Sequence, residues 1–302
     1  MKSLAIVCLA ASVTLAAQAP PRPDPLVKEG VTEKISDHVH VIPDGSVPLV
    51  PNIGIIVGSR ATMVVDTGLG TRNGQAVLRE MQKVSRNTDV YLATTHIHPE
   101  HDLGAMAFPP SAKMIRSRDQ EMEIADTGLE VAQRFAGMSA TNAELLKGAE
   151  YRKANITFDK EQVVDLGGVK VRVMAMGTNH TRGDTGFFVE PDGVLFSGDI
   201  VMTGLPAFSS PASSVAHWLD SLDRFAKLQP KRIVPSHGPM GDAGLIANYR
   251  TFLTTVSGRA AALKKEGRSL DETVTLLQNE LQDRYDRQRM TSAIRAAYNG
   301  AP

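Results

Sequence analysis

The stretch THIHPEHD, residues 95–102, places three histidines and two carboxylate side chains within eight residues. His96 and His98 are two residues apart at the end of a predicted strand, so their side chains can point the same way. Glu100 and His101 follow immediately, in a turn after a proline. Neutral imidazole groups suit zinc, and carboxylates complete many zinc sites. This turn therefore offers enough potential ligands for more than one cation.

Three later segments repeat the combination of a strand end, a glycine and a side chain that can bind metal. His180 lies in TNHTRGDTGFF, Asp199 in LFSGDI and His237 in VPSHGP, and each follows a predicted strand. Loops at one edge of a sheet are where functional sites are commonly built. Each segment alone is typical of an ordinary turn, but their occurrence in this order indicates a shared metal site.

The order HxHxEH, HTRGD, SGD and SHG, preceded by VVDTG at 64–68, resembles the metallo-β-lactamase superfamily over residues 31–240. The resemblance implies an α/β fold in which two mixed β-sheets, flanked by helices, form an αββα sandwich. It also implies a binuclear zinc site at one edge, with Asp199 bridging the two ions and Asp66 supporting the ligands from behind. The remaining ligands that the resemblance implies are His96, His98 and His180 for one zinc, and Glu100, His101 and His237 for the other.

Glu100 stands where the superfamily pattern normally has Asp. One extra methylene moves the carboxylate outward by about 1.5 Å unless the backbone or rotamer compensates. Zinc–oxygen distances fall within about 2.0–2.2 Å, so the second site could be shifted, weaker or selective for a different metal. Alternatively, Glu100 could act as a general base on water. Asp199, Glu100 and Asp66 are therefore the candidate catalytic residues, with the ligand role favoured for Glu100.

Two divalent cations would lower the pKa of a shared water and polarise a carbonyl or phosphoryl oxygen. No GxSxG nucleophile motif is present. The predicted function is therefore an exported, zinc-dependent hydrolase that cleaves an ester, thioester, lactone or β-lactam bond in a small molecule. A β-lactamase proper remains an alternative. So does an iron-dependent oxidoreductase similar to persulfide dioxygenases, for which Glu100 would suit a one-metal site.

The first residues, MKSLAIVCLAASVTLAAQAP, have the basic start, apolar run and A-x-A site of a signal peptide, with cleavage expected after Ala19. The mature protein would then be periplasmic or secreted. It would also lack cysteine, because Cys8 is the only one, so a metal site must use histidines and carboxylates. No later segment is apolar for long enough to span a bilayer, and no membrane association is expected after signal cleavage.

The 302-residue chain is 42% hydrophobic and 22% charged, with a formal net charge of zero. This neutral balance argues against a nucleic-acid partner, which would favour a basic excess. The sequence does not give the oligomeric state. The predicted organisation is a signal peptide at 1–19, a Pro-rich linker at 20–30, and a metallo-β-lactamase-like domain at 31–240 with a helical or mobile insertion at 118–153. C-terminal helices at 241–302 would pack on that domain.

Strands are predicted where short β-branched runs alternate with turn residues, and helices where apolar residues recur every three or four positions. Ser269 and Glu272 form a capping-box signature at the start of a C-terminal helix. The small-residue stretch 204–211 is predicted either to line a pocket or to be a connecting loop. The predicted strands lie within 31–66 and at 90–96, 112–117, 169–177, 185–190, 193–199 and 232–238, and the predicted helices at 71–85, 213–228 and 269–285.

Overall fold

The computed structural model describes residues 23–202, 208, 210–287 and 289–301. Its first sheet has seven strands in sequence order: the pairings from the first strand to the fourth are antiparallel, and those from the fourth to the seventh are parallel. These strands are β1 Glu33–Lys34, β2 Val39–Ile42, β3 Ile53–Val57, β4 Ala61–Val65, β5 Asp89–Ala93, β6 Lys113–Ser117 and β7 Ile156–Phe158.

The second sheet has five strands in the order β12-β11-β10-β9-β8, and only the β11–β12 pair is parallel. Both sheets are therefore mixed. The strands are β8 Glu161–Asp165, β9 Lys170–Gly177, β10 Asp184–Val189, β11 Val194–Gly198 and β12 Arg232–Pro235.

The central strands of the first sheet are buried on both faces. On β3, Ile56 packs toward the second sheet, where Phe187 and Phe196 lie, whereas Ile55 packs toward the outer helix. Successive side chains of a strand point to opposite faces, so a strand covered on both sides reads as a continuous apolar run. This explains why IGIIV and ATMVV lack polar alternation. At Gly54, an added Cβ would lie 2.4 Å from Phe196, so glycine permits close contact between the sheets here.

Helices cover the outer face of each sheet. The helix α1, Gly70–Val84, packs Ala76, Val77 and Met81 against the first sheet. The outer face of the second sheet is covered by four later helices, around a core that includes Trp218. The two layers of helices and two sheets confirm the predicted αββα sandwich.

Short helical segments join the strands of the first sheet and carry the predicted insertion 118–153. After β5 come α2 Pro99–Asp102 and a 3₁₀ turn at Ala105–Ala107. After β6, a nearly continuous helical path fills most of the insertion. The remaining helices are α3 Arg118–Glu123, a π-helical turn at Ile124–Gly128, α4 Leu129–Ala136, α5 Ala140–Leu145, α6 Val215–Lys227, α7 Gly244–Lys265, α8 Leu270–Leu281 and α9 Met290–Gly300.

The predicted capping box is confirmed. The Ser269 side chain accepts from the backbone N–H of Glu272, and the Glu272 carboxylate accepts in return from Ser269. Satisfying these N–H groups, which no helical carbonyl can reach, fixes where α8 begins.

The described residues begin inside the predicted Pro-rich linker. Its backbone is hydrogen-bonded to α1: Val27 donates to Asn73 Oδ1 at 2.8 Å, and Gly30 donates to Glu80 Oε1 at 2.8 Å. The predicted signal peptide lies outside the described residues. Among the helices that are described, none combines the length and apolar character needed to cross a bilayer.

Candidate metal centre

The candidate ligands come from strand ends in both sheets. The first sheet supplies the turn 95–102 after β5, and the second supplies His180 after β9, Asp199 after β11 and His237 after β12. Parallel pairing of β4 with β5, and of β11 with β12, places the carboxyl ends of each pair at one edge. The topology therefore brings together residues that are far apart in the sequence.

Three imidazoles form the tightest group. His98 Nδ1 lies 3.0 Å from His96 Nε2 and 3.2 Å from His180 Nε2. Nitrogens around a tetrahedral zinc would be about 3.3 Å apart, given zinc–nitrogen distances of about 2.0–2.1 Å. Burial, reinforced by repulsion among neighbouring imidazoles, holds the pKa values of His96 and His98 well below the usual histidine range. Both rings are therefore neutral and have a lone pair for a cation.

A second group joins Glu100, His101 and His237, and Asp199 lies between the two groups. One ligand atom from each member of the second group falls within 4.8 Å of the others, as do ligand atoms of His96, His101 and Asp199. Asp199 Oδ2 is 3.3 Å from His180 Nε2. Asp199 therefore occupies a position from which it could contact both groups.

Three ligand atoms in this region are buried and have no hydrogen-bond partner among the residues that the structure describes: Glu100 Oε2, His101 Nε2 and Asp199 Oδ1. A buried polar atom without a partner costs about 1–3 kcal/mol. Three such atoms converging from both sheets fit a site that binds cations. The residues present therefore fit the predicted metal.

Asp66 fixes the orientation of His101. Its Oδ2 lies 2.9 Å from His101 Nδ1, and its Oδ1 accepts from the backbone N–H of Thr95 at 2.8 Å. Burial alone favours the neutral ring, but the Asp66 carboxylate outweighs burial and raises the pKa of His101 to about 9. With Nδ1 engaged by Asp66, Nε2 is the His101 atom that faces the ligand group, and a cation would bind there in place of its proton.

We expect Asp66→Asn to weaken metal binding at the group that contains His101 by about 10–100-fold, the usual effect of losing a carboxylate behind a ligating histidine. The trio of His96, His98 and His180 should retain its ion. Metal titration monitored by calorimetry would show one weakened and one unchanged binding event. Asp192→Asn is a matched control, because Asp192 is also a buried carboxylate paired with a histidine but belongs to a different loop. Equal weakening of both events would contradict this assignment.

Glu100 lies in the first turn of α2, directly after Pro99. Its Oε1 is 3.8 Å from His101 Nε2. Burial raises the pKa of Glu100 to about 7, and the nearby His101 only partly offsets this effect. The longer side chain thus still reaches the second group, while its raised proton affinity also suits proton transfer. The geometry leaves both predicted roles open.

The loop that bears His180 is held by two carboxylates. Asp184 Oδ2 accepts from the backbone N–H of His180 at 2.6 Å, and Asp184 also binds Thr181. Glu123, from the insertion, accepts from the N–H groups of Arg182 and Gly183 at 3.0 and 2.8 Å. Asp184 is visible in the sequence as part of HTRGD, whereas no local pattern points to Glu123.

The turn 95–102 is anchored by a buried ion pair that no sequence motif indicates. Arg116 Nη2 contacts both Asp102 oxygens, at 2.7 and 2.8 Å, and Arg116 Nη1 also binds Glu121. From the insertion, the Tyr151 hydroxyl donates to the backbone carbonyl of Ile97 at 2.8 Å. The segment 118–153 therefore supports two of the histidine-bearing segments, the turn 95–102 and the loop of His180.

Five of the candidate ligands line the wall of a cavity of about 700 Å³: His98, Glu100, His180, Asp199 and His237. Part of the wall is apolar, with Leu49, Phe135 and Met202 among the contributing residues, and part is formed by Arg134 and Arg289. His217 lies outside this wall and contacts the Met176 carbonyl. Of the stretch 204–211, residues 204–207 and 209 lie outside the described part of the chain.

The αββα sandwich thus has, at its loop-bearing edge, a histidine–carboxylate cluster that could hold metal ions. Residues 47–237 match the family model of the Metallo-beta-lactamase superfamily. The chain belongs to that superfamily and is a hydrolase.

Curated relatives are distant in sequence. The chain is 23% identical to human acyl-coenzyme A thioesterase MBLAC2 over 204 residues, which cover 62% of this chain and 72% of the relative. The identity to the Gallus gallus protein of the same name is 24% over 239 residues, covering 66% and 77%.

Solved structures share the fold. The sec-alkylsulfatase Pisa1 from Pseudomonas sp. aligns with a TM-score of 0.68 at 14% identity, covering 89% of this chain and 49% of that one. The chain thus spans about half the length of that enzyme. A metallo-beta-lactamase family protein from Thermus thermophilus aligns with a TM-score of 0.61 at 20% identity, covering 86% and 91%.

Proposed function

We propose that the chain is an exported hydrolase that uses two zinc ions to cleave a thioester or ester bond in a small molecule. The observation that carries this proposal is the convergence of ligand atoms from both sheets, three of them buried without a hydrogen-bond partner among the described residues. The thioesterase names of the relatives support the thioester as the first substrate to test. Export rests on the sequence of residues 1–19.

Bound zinc would activate water and polarise the carbonyl oxygen of the substrate. His96, His98 and His180 would hold one ion; Glu100, His101 and His237 would hold the other; and Asp199 would lie between them. In hydrolysis, the water oxygen bonds to the carbonyl carbon, the bond to the leaving sulfur or oxygen breaks, and the leaving atom takes up a proton. Glu100 and Asp199 are the carboxylates placed to receive or deliver that proton.

The apolar part of the cavity wall would accommodate the acyl portion of the substrate. Phe135 packs against His98 with ring centroids 5.2 Å apart, so an apolar surface lies directly beside the first ligand group. The apolar part of the wall keeps water from the groups beside it and strengthens their electrostatic interactions. The apolar surface at Phe135 would therefore orient the acyl group of the substrate and, with it, the carbonyl carbon beside the metal ligands.

The test is a substrate panel run with zinc titration on the protein purified without metal. The panel contains an acyl thioester, an aryl ester, a lactone and a chromogenic cephalosporin. We expect thioester or ester hydrolysis that rises until about two zinc ions are bound per chain. Preferential turnover of the cephalosporin would instead assign a β-lactamase. One bound iron with oxygen consumption would assign the oxidoreductase alternative and overturn the proposal.

Replacing Glu100 separates its two roles. If Glu100 is a ligand, Glu100→Asp should retain both metals, because it restores the superfamily's usual residue. Glu100→Gln, which loses the charge at nearly constant size, should lower affinity for the second metal. Metal content measured by mass spectrometry, together with kcat, gives the answer. Unchanged metal content with a collapse of kcat in both variants would show that Glu100 acts as a base rather than as a ligand.

A further inference from the structure

Two arginines approach the candidate metal centre from opposite parts of the chain. Arg134 is on α4, within the insertion, and Arg289 immediately precedes α9 at the C-terminal end. Both line the cavity that also contains His98, Glu100 and Asp199. The two guanidinium groups are therefore available to a molecule bound at the metal centre.

Neither guanidinium is neutralised by the protein residues that the structure describes. Arginines elsewhere in the described chain, such as Arg79, Arg259 and Arg295, have carboxylate partners. No ion pair within the described ranges involves Arg134 or Arg289. Arg134 instead lies over the ring of Phe135, 5.8 Å from its centroid.

The carboxylates of the cavity wall have other roles. Asp44 accepts from the backbone N–H groups of Gly238 and Ser46, at 2.7 and 3.0 Å. Glu100 and Asp199 belong to the candidate ligand groups. The wall holds two arginines against the carboxylates of Asp44, Glu100 and Asp199. Divalent cations bound at the ligand groups would turn this balance net positive, so the charge of the occupied site is complementary to an anion.

We propose that Arg134 and Arg289 form an anion-recognition pair, and that the substrate carries a carboxylate or phosphate group in addition to the bond that is hydrolysed. This inference rests on the proposed function. Guanidinium groups bind both kinds of oxyanion through paired, charge-assisted hydrogen bonds. The apolar wall beside Phe135 would contact the part of the molecule between the anion and the carbonyl.

Three thioesters of the same acyl length would show whether the recognised anionic group lies on the acyl side or on the leaving-group side of the substrate. Butyryl-N-acetylcysteamine is neutral, succinyl-N-acetylcysteamine has a carboxylate on the acyl side, and butyryl-coenzyme A has phosphates on the leaving-group side. We expect the wild type to prefer one of the two anionic substrates. In the Arg134→Met/Arg289→Met double variant, KM for that substrate should rise about 10–100-fold, as expected for losing hydrogen bonds to a charged group. The KM for the neutral thioester should remain within about twofold, because it makes no such bonds.

Arg295→Met is the matched control, since Arg295 is also on α9 but pairs with Asp271. Equal use of neutral and anionic thioesters by the wild type, or the same loss in the control, would overturn the proposal. Calorimetric binding of coenzyme A and of succinate to the zinc-loaded protein, compared between the wild type and the double variant, provides a readout that needs no turnover. If every thioester is inert but one anion binds through the two arginines, the proposed function fails and the anion site stands. If neither anion binds, or the double variant binds as the wild type does, the anion site is refuted.

Discussion

The His96→Ala variant is expected to lose metal and at least about a thousandfold of its hydrolytic activity, because metal catalysis contributes several kcal/mol and each 1.36 kcal/mol corresponds to a factor of ten. Among the described residues, His96 is the one histidine whose ligand atom belongs both to the group with His98 and His180 and to the group with His101 and Asp199. Its removal therefore takes one of three ligands from the first candidate ion position and also alters the cluster with His101 and Asp199 that links this position to the second.

The measurement combines metal content per chain with kcat/KM on the best substrate of the panel. His217→Ala is the matched control, because His217 contacts a backbone carbonyl outside the ligand groups. The control should keep its metal and most of its activity. Near-normal turnover of a folded His96→Ala protein, with folding checked by circular dichroism, would refute the assignment of the site.

The Arg116→Met variant is expected to be destabilised by about 3–5 kcal/mol, the usual cost of removing one partner from a buried ion pair. Arg116 and Asp102 are both almost completely buried, and Arg116 offers Asp102 two donors from one group. Without it, the Asp102 carboxylate would remain inside the protein with Thr94 as its hydroxyl donor. Because Asp102 lies in α2, the turn that carries the ligands should also become less ordered.

Denaturant unfolding would measure the loss. Arg118→Met tests the specificity of the effect: its pair with Asp159 is exposed and should contribute only about 0–1 kcal/mol. The double variant Asp102→Asn/Arg116→Met should be less destabilised than the sum of the single variants, because it no longer contains an unpaired buried charge. A loss below about 1 kcal/mol for Arg116→Met would contradict the expectation.

The fold was predictable from sequence where the spacing of apolar residues in a segment matches the faces that the segment buries in the folded protein. Apolar runs such as 53–57 and 61–65 are strands because they are covered on both faces, and the periodic segment 71–85 is a helix because one face packs on the sheet. Strands β7 and β8 were not predicted. β7 has three residues, and β8 is an edge strand in which Val163 is 44% exposed, so neither has the continuous burial that makes a strand visible in sequence.

The candidate site was predictable to the extent that its residues stand in compact motifs at strand ends. The turn 95–102 and the segments around His180, Asp199 and His237 meet at one edge, as their common placement after strands indicated. Residues that act from a distance were not predictable. Glu123 reaches its loop only through tertiary packing, and Arg134 and Arg289 lie 155 positions apart (289 − 134) in segments without any motif.

Each candidate ion position draws ligands from both halves of the chain. His98 and His180 are 82 positions apart, and His101 and His237 likewise belong to different sheets. A bound ion would therefore act as a cross-link that closes a long loop, and such closures restrict the unfolded chain strongly. A ligand present at about 1,000 times its Kd adds about 4 kcal/mol to folding stability. The metal would thus fasten the two sheets together at their loop-bearing edge, and chelation should open that edge of the sandwich before the opposite one.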